Sequence, residues 1–276
     1  MFFNVRKLAL IAGLMFSSTA YSQDVFGPQL GAIGKTSAEC YYNDGGEFVL
    51  NGGFDTAARV CFAKTYKSGT DVIRINSGGG QNAIGLGLAH RLKGEDFHLI
   101  IEERCNSACA QYIIPLAREL TLEKGAGIVI HGVLSEHFLS EGYKDFFVNQ
   151  RLKDGQNRKE IETEYKNFKK FTERQIKAAE DFRGENNVKR GWYMQSGFWT
   201  VGDPKSPVDE TDVEWLNRKQ TAGILIDRLF LESCLPDVVV NQFIGPSDLE
   251  SQKNEGYQAR IKAANLTVLP HAKCVN

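Results

Sequence analysis

Residues 105–110 read CNSACA, a serine held between two cysteines four positions apart. A serine hydroxyl acts as a nucleophile where a neighbouring base takes its proton and fixed donors receive the charge that develops on the substrate. Two other short stretches offer those groups. SGGG at 77–80 follows the strand-like run DVIRIN, and glycines there let backbone N–H groups face outward with no side chain in the way. GIVIH at 127–131 ends an apolar run in His131, a residue suited to general-base work. Each stretch also has a plain structural reading: a tight turn, a serine that caps a helix, and a histidine that ends a strand. It is their conjunction in one half of the chain that points to acyl-transfer chemistry.

The elements around them explain how they would meet. Residues 47–52, 71–76, 97–103 and 127–131 have the character of strands, and 54–66, 83–92 and 107–114 the spacing of helices. Strands alternating with helices at this pace predict an α/β fold with a mostly parallel sheet. Active sites of open α/β sheets gather at the carboxyl edge of the strands, where SGGG, Ser107 and His131 all fall. Ser107 opens its helix, which puts the hydroxyl beside the free N–H of Ala108. Beyond His131 the composition changes. From about 142 to 183 the chain is highly charged, yet Ile161, Tyr165, Phe168, Gln175 or Ile176, Ala179 and Phe182 recur at spacings of three and four. That pattern predicts an amphipathic helix or helix pair packed on the sheet or on another subunit. Residues 191–210 read as loop, 221–233 as helix, and 241–274 as a polar tail.

Export is the next expectation. Residues 1–22 combine Arg6 and Lys7, an apolar run from Leu8 to Phe16 and small residues at Ala20 and Ser22, the pattern of a secretory signal peptide cleaved before Gln23. A leader at 23–44, a main domain at 45–235 and a tail at 236–276 would follow. The apolar run is too short to span a bilayer, and no later run is long enough. Without Arg6 and Lys7 the 33 basic residues become 31 against 34 acidic ones, a net charge of −3, which gives no sign of nucleic-acid binding. All six cysteines lie in the mature part, and an even number in an oxidising compartment favours disulfides over metal ligation. Cys105 and Cys109, at i and i+4, stand about 6 Å apart at Cα on a helical turn, within the roughly 4.4 to 6.8 Å that a bridge tolerates. Such a bridge would clamp the turn that aims Ser107. Pairing of either cysteine with Cys40 or Cys61, or burial as a thiol, stays open. With the local bridge formed, Cys40 with Cys61 and Cys234 with Cys274 is the simplest remaining arrangement, the second pinning the tail.

VIRINSGGG, CNSACAQY and GAGIVIHG, in that order, resemble the Clp protease proteolytic subunit and its crotonase-like relatives, particularly exported bacterial Clp-like proteins. The resemblance covers roughly residues 45–135. It implies stacked ββα units, assembly into homo-oligomers, Ser107 as nucleophile, His131 as general base, and the N–H groups of Gly79 and Ala108 as an oxyanion hole. Gly78 departs from the family's proline in that turn, and Pro115 should end or kink the helix after Ser107 early. A third member of the triad is sought among Asp181, Asp203 and Asp209, with Asp181 preferred for its distance from His131. Two other motifs carry less weight. GKT at 34–36 lacks a phosphate-binding loop's first glycine, which is Gln29 here, and a cysteine nucleophile at 105 or 109 would be oxidised on export. The reading is a periplasmic or secreted, ATP-independent serine peptidase that needs no cofactor or metal and acts on peptides or unfolded segments. The alternatives are a catalytically silent scaffold that binds peptides or a partner through the same cleft, and an acyl-transfer or thioester enzyme, for which no coenzyme A recognition signal is visible.

Overall fold

Val72–Ser77 buries Ile73, Ile75 and Ser77 and turns Val72, Arg74 and Asn76 the other way, the two-residue alternation of a strand with one face on a core. The computed structural model describes residues 38–130, 139–153, 155–189, 191–192, 223–245, 248, 253, 255–263, 266–268 and 274. His131, Asp203, Asp209, the predicted signal peptide and most of the leader lie outside them. The first part of the chain runs β1 (Glu39–Tyr42), β2 (Phe48–Asn51), α1 (Thr56–Thr65), β3 (Val72–Ser77), α2 (Asn82–Leu92) and β4 (His98–Asn106). It continues through α3 (Ala108–Tyr112), β5 (Glu119–Leu122), β6 (Gly127–Ile130), α4 (Glu141–Lys153) and α5 (Arg158–Glu185). Last come β7 (Gly223–Leu225), α6 (Arg228–Cys234), β8 (Val239–Gln242), α7 (Glu255–Ala263) and β9 (Leu266–Val268).

Among the described residues the strands form one nine-stranded, mostly parallel sheet. β2, β3 and β4 pair in parallel through the α1 and α2 crossovers, and β1 closes one edge antiparallel to β2. β4 then serves two partners in succession. His98–Ile101 pairs with β5, and Arg104–Asn106 pairs with β6, so β5 and β6 follow one another along the same side of β4. β8 extends the first branch beside β5, while β7 and β9 extend the second beyond β6. The core beneath contains Phe48, Phe62, Ile73, Ile75, Leu88, Leu99 and Ile101, all nearly inaccessible to water. On the opposite face Arg74, within β3, binds the carboxylates of Glu47 and Glu123, each at 2.6 Å, and so links β3 to the start of β2 and the end of β5.

Several elements differ from the sequence expectation. β4 runs three residues past Glu103 because Arg104, Cys105 and Asn106 find backbone partners in Gly127, Ile128 and Val129. The helix predicted over 107–114 stops at Tyr112, and a 3-10 turn at Ile114–Leu116 takes Pro115 in its first turn, where the missing N–H costs no hydrogen bond. Within the helix predicted over 221–233, Gly223–Leu225 is instead a strand held antiparallel to β6. The helix starts only at Arg228, where Asp227 caps it by accepting the Leu229 N–H at 2.9 Å. The tail from residue 236 supplies β8, α7 and β9. The charged segment is a helix pair. Phe168 of α5 stacks on Tyr143 and Phe147 of α4, and Phe182 near the end of α5 meets Tyr112 of α3 edge-on. Among the described residues no helix is long and apolar enough to cross a membrane.

All six cysteines are paired, Cys40–Cys61, Cys105–Cys109 and Cys234–Cys274. The first ties β1 to α1, and the third ties residue 274 to α6.

Candidate functional site

β4 ends at Asn106 and α3 begins at Ala108, so a single residue, Ser107, makes the whole turn from strand to helix. It does so at φ 53° and ψ −125°. A side chain in this region crowds its own backbone, and among the described residues only Ser107 and Asn187 have positive φ without being glycine. Backbone of this kind costs on the order of 1–3 kcal/mol and persists only where the surroundings over-determine it. Those surroundings are visible. The Ser107 N–H donates to the Val129 carbonyl at 2.8 Å, and the Ser107 carbonyl receives the Gln111 N–H at 2.9 Å. The Cys105–Cys109 bridge spans the turn with its Cα atoms 5.2 Å apart. The Ser107 side chain makes no capping hydrogen bond, which removes the plain reading of this serine as a helix cap.

The Gly-rich turn packs directly against this elbow. Gly79 has φ +83°, and a Cβ built there would overlap the Asn106 carbonyl oxygen, lie 2.6 Å from Ser107 Cβ and 3.0 Å from the Ala108 nitrogen. Only a residue without a side chain fits, and its backbone thereby comes close to the Ala108 N–H. Ala108 opens α3, so its N–H has no carbonyl one turn back to receive it. The Gly79 N–H donates to the buried Ser77 hydroxyl at 3.1 Å. From the other side α2 approaches α3 at Gly85, where a Cβ would lie 2.9 Å from Tyr112 Cδ2 and 3.0 Å from Ala108 Cβ. Trp192, wholly buried, donates its indole N–H to the Ala110 carbonyl at 3.2 Å. Tyr112 and Arg104 flank the elbow, and burial pushes the phenol of Tyr112 upward and pulls Arg104 below its ordinary value.

Ser107, Gly79 and Ala108, three residues singled out in the sequence, are thus brought together. His131 follows Ile130, the last residue of β6, and lies outside the described residues. Asp181 is on the solvent side of α5, where its carboxylate takes the ammonium of Lys177 at 2.8 Å in an i,i+4 pair. The neighbouring Phe182 is the residue of that turn that faces α3. A buried carboxylate that sequence reading passed over is Asp227, but the antiparallel register of β7 sets it at the opposite end of β6 from Ile130. Asn106 was also passed over. Its side chain is buried and its Oδ1 accepts the Val129 N–H at 2.9 Å. The signal for it was its position immediately before the serine. No group of three or more His, Cys, Asp or Glu side chains converges on a metal-binding geometry among the described residues. No protein-family model matches this chain, and no curated protein does.

Proposed function

We propose that this chain is an exported, ATP-independent serine hydrolase of Clp-like type, a peptidase for peptides or unfolded segments, with Ser107 as its nucleophile. The observation that carries the reading is the backbone of Ser107, held at positive φ between a strand and a helix with Gly79 pressed against it. A turn of this shape lifts a hydroxyl out of the strand line and sets it beside backbone donors. In the proposed reaction His131 takes the Ser107 proton as Oγ attacks a peptide carbonyl. The N–H groups of Gly79 and Ala108 receive the oxyanion, with the Ser77 hydroxyl yielding its hold on Gly79. The proton then passes to the leaving amine, and water releases the acyl group by the same route. The resemblance to Clp-type proteins supports homo-oligomeric assembly, and the three disulfides are compatible with an oxidising compartment.

A second reading is a silent scaffold that binds peptides in the same cleft. The engagement of the Gly79 N–H by Ser77 and the solvent-side pairing of Asp181 favour it. Treating the purified mature protein with a fluorophosphonate and mapping the modified residue separates the two. An adduct on Ser107 supports the hydrolase, and a protein that stays unmodified supports the scaffold.

The disulfides give a comparative prediction. The Cys105–Cys109 bridge closes a separation of 4 residues and the Cys234–Cys274 bridge one of 40. The short loop restricts the unfolded chain less, so its contribution is to the local geometry of the elbow. Replacing Cys105 and Cys109 together with alanine is expected to slow fluorophosphonate labelling about tenfold, the scale of a small misplacement of reacting groups. Replacing Cys234 and Cys274 should leave the labelling rate near wild type. Labelling time courses of the two variants, both corrected for the folded fraction, check the contrast.

A further inference from the structure

We infer that Asn106 is a positioning residue that fixes the Ser107 elbow against β6 and the Gly79 turn. The inference rests on the serine-hydrolase reading and adds to it a residue that touches neither substrate nor the reacting atoms. Three observations meet at Asn106. Its side chain is 1 % exposed, so an amide is kept out of water, which is unfavourable unless its polar atoms are used. Its Oδ1 accepts the Val129 N–H at 2.9 Å, while the very next residue, Ser107, donates its own N–H to the Val129 carbonyl at 2.8 Å. Both polar groups of Val129 are therefore gripped by consecutive residues of β4 and the elbow. Finally, the Asn106 carbonyl oxygen is the atom that a side chain at Gly79 would strike first.

These contacts fix one peptide plane. The Asn106–Ser107 peptide carries the carbonyl that abuts Gly79 and the N–H that reaches Val129. Its tilt determines both where the Ser107 side chain points and how closely the Gly79 backbone approaches Ala108. The side-chain bond to the Val129 N–H stops that plane from rocking. It also holds β6 in register, since a one-residue slip of a strand moves every side chain to the opposite face. Leucine at 106 has nearly the same size and no acceptor, so it removes the bond while filling the space. Aspartate keeps an oxygen at the Oδ1 position.

The experiment compares wild type, N106L and N106D by fluorophosphonate inactivation, resolved into kinact and KI, with amide hydrogen exchange at Val129 as an independent reading of the bond. N106L is expected to lower kinact about 10- to 100-fold and leave KI within about twofold, because the probe still docks but meets a misdirected hydroxyl. Exchange at Val129 should accelerate. N106D should recover most of the lost kinact and of the protection. If N106L does not fold, N106A against N106D carries the same comparison. Wild type labelled on Ser107 together with an unchanged kinact in the variant lacking the acceptor overturns the positioning role and leaves the hydrolase reading standing. Wild type not labelled on Ser107 overturns the hydrolase reading, and with it any positioning role, even if Val129 exchanges faster in N106L.

Discussion

Ser107→Ala is expected to abolish fluorophosphonate labelling altogether while leaving the protein folded and about as stable as before. The loss follows from removing the only atom in the proposed mechanism that forms the covalent bond. The retained stability follows from the local structure. The hydroxyl makes no capping hydrogen bond, and alanine at φ 53° meets the same backbone crowding as serine. A companion variant sharpens the point. Ser107→Gly also removes the nucleophile, but glycine tolerates positive φ, so this variant should be more stable than wild type by about 1 kcal/mol. Labelling and urea unfolding of the two variants decide the matter. Persistent labelling of Ser107→Ala, or an adduct on a cysteine, would sink the serine mechanism, and a Ser107→Gly protein no more stable than Ser107→Ala would show that the turn carries no strain.

Gly79→Ala is the second large effect. A methyl group there overlaps backbone, the Asn106 carbonyl oxygen, which cannot swing aside as a flexible side chain could. It also requires alanine at φ +83°, a region that costs an L-residue about 1–2 kcal/mol, and over-packing typically adds about 1–3 kcal/mol. The expected result is a loss of several kcal/mol in stability and, in the fraction that remains folded, labelling reduced at least about a hundredfold as the turn and the elbow are forced apart. Gly78→Ala is the control. The same ideal Cβ at Gly78 meets nothing within 4 Å, so that variant should unfold and label like wild type. Equal behaviour of the two variants would contradict the close approach of the glycine turn to Ser107.

Residue types and local spacing were enough to suggest the chemistry proposed above and to outline the α/β alternation of the first half of the fold. The alternation of apolar runs and helical segments between residues 47 and 131 pointed to β2, β3, β4 and β6 with α1, α2 and α3 between them, because each strand is a compact apolar run set off from helical spacing by turn residues. The Cys105–Cys109 bridge was one of several pairings the spacing left open, and it forms across the Ser107 elbow, from the end of β4 to α3, and not along one helical turn as the spacing suggested. The resemblance carried by VIRINSGGG, CNSACAQY and GAGIVIHG singled out Ser107, Gly79 and Ala108, and the fold sets these three residues side by side. Tertiary structure alone decided the rest. β5, β7, β8 and β9 are strands of three or four residues that lie outside the apolar runs of the first half or next to polar segments, and they are strands because neighbouring strands take their backbone groups. The last three residues of β4 are extended because β6 lies beside them, and Asn106 matters because its side chain reaches a peptide 23 positions away. The strained backbone of Ser107 has the same origin. Nothing in CNSACA requires a positive φ, and it is the Val129 carbonyl, the Gly79 backbone and the bridge between Cys105 and Cys109 that together leave the serine no other conformation.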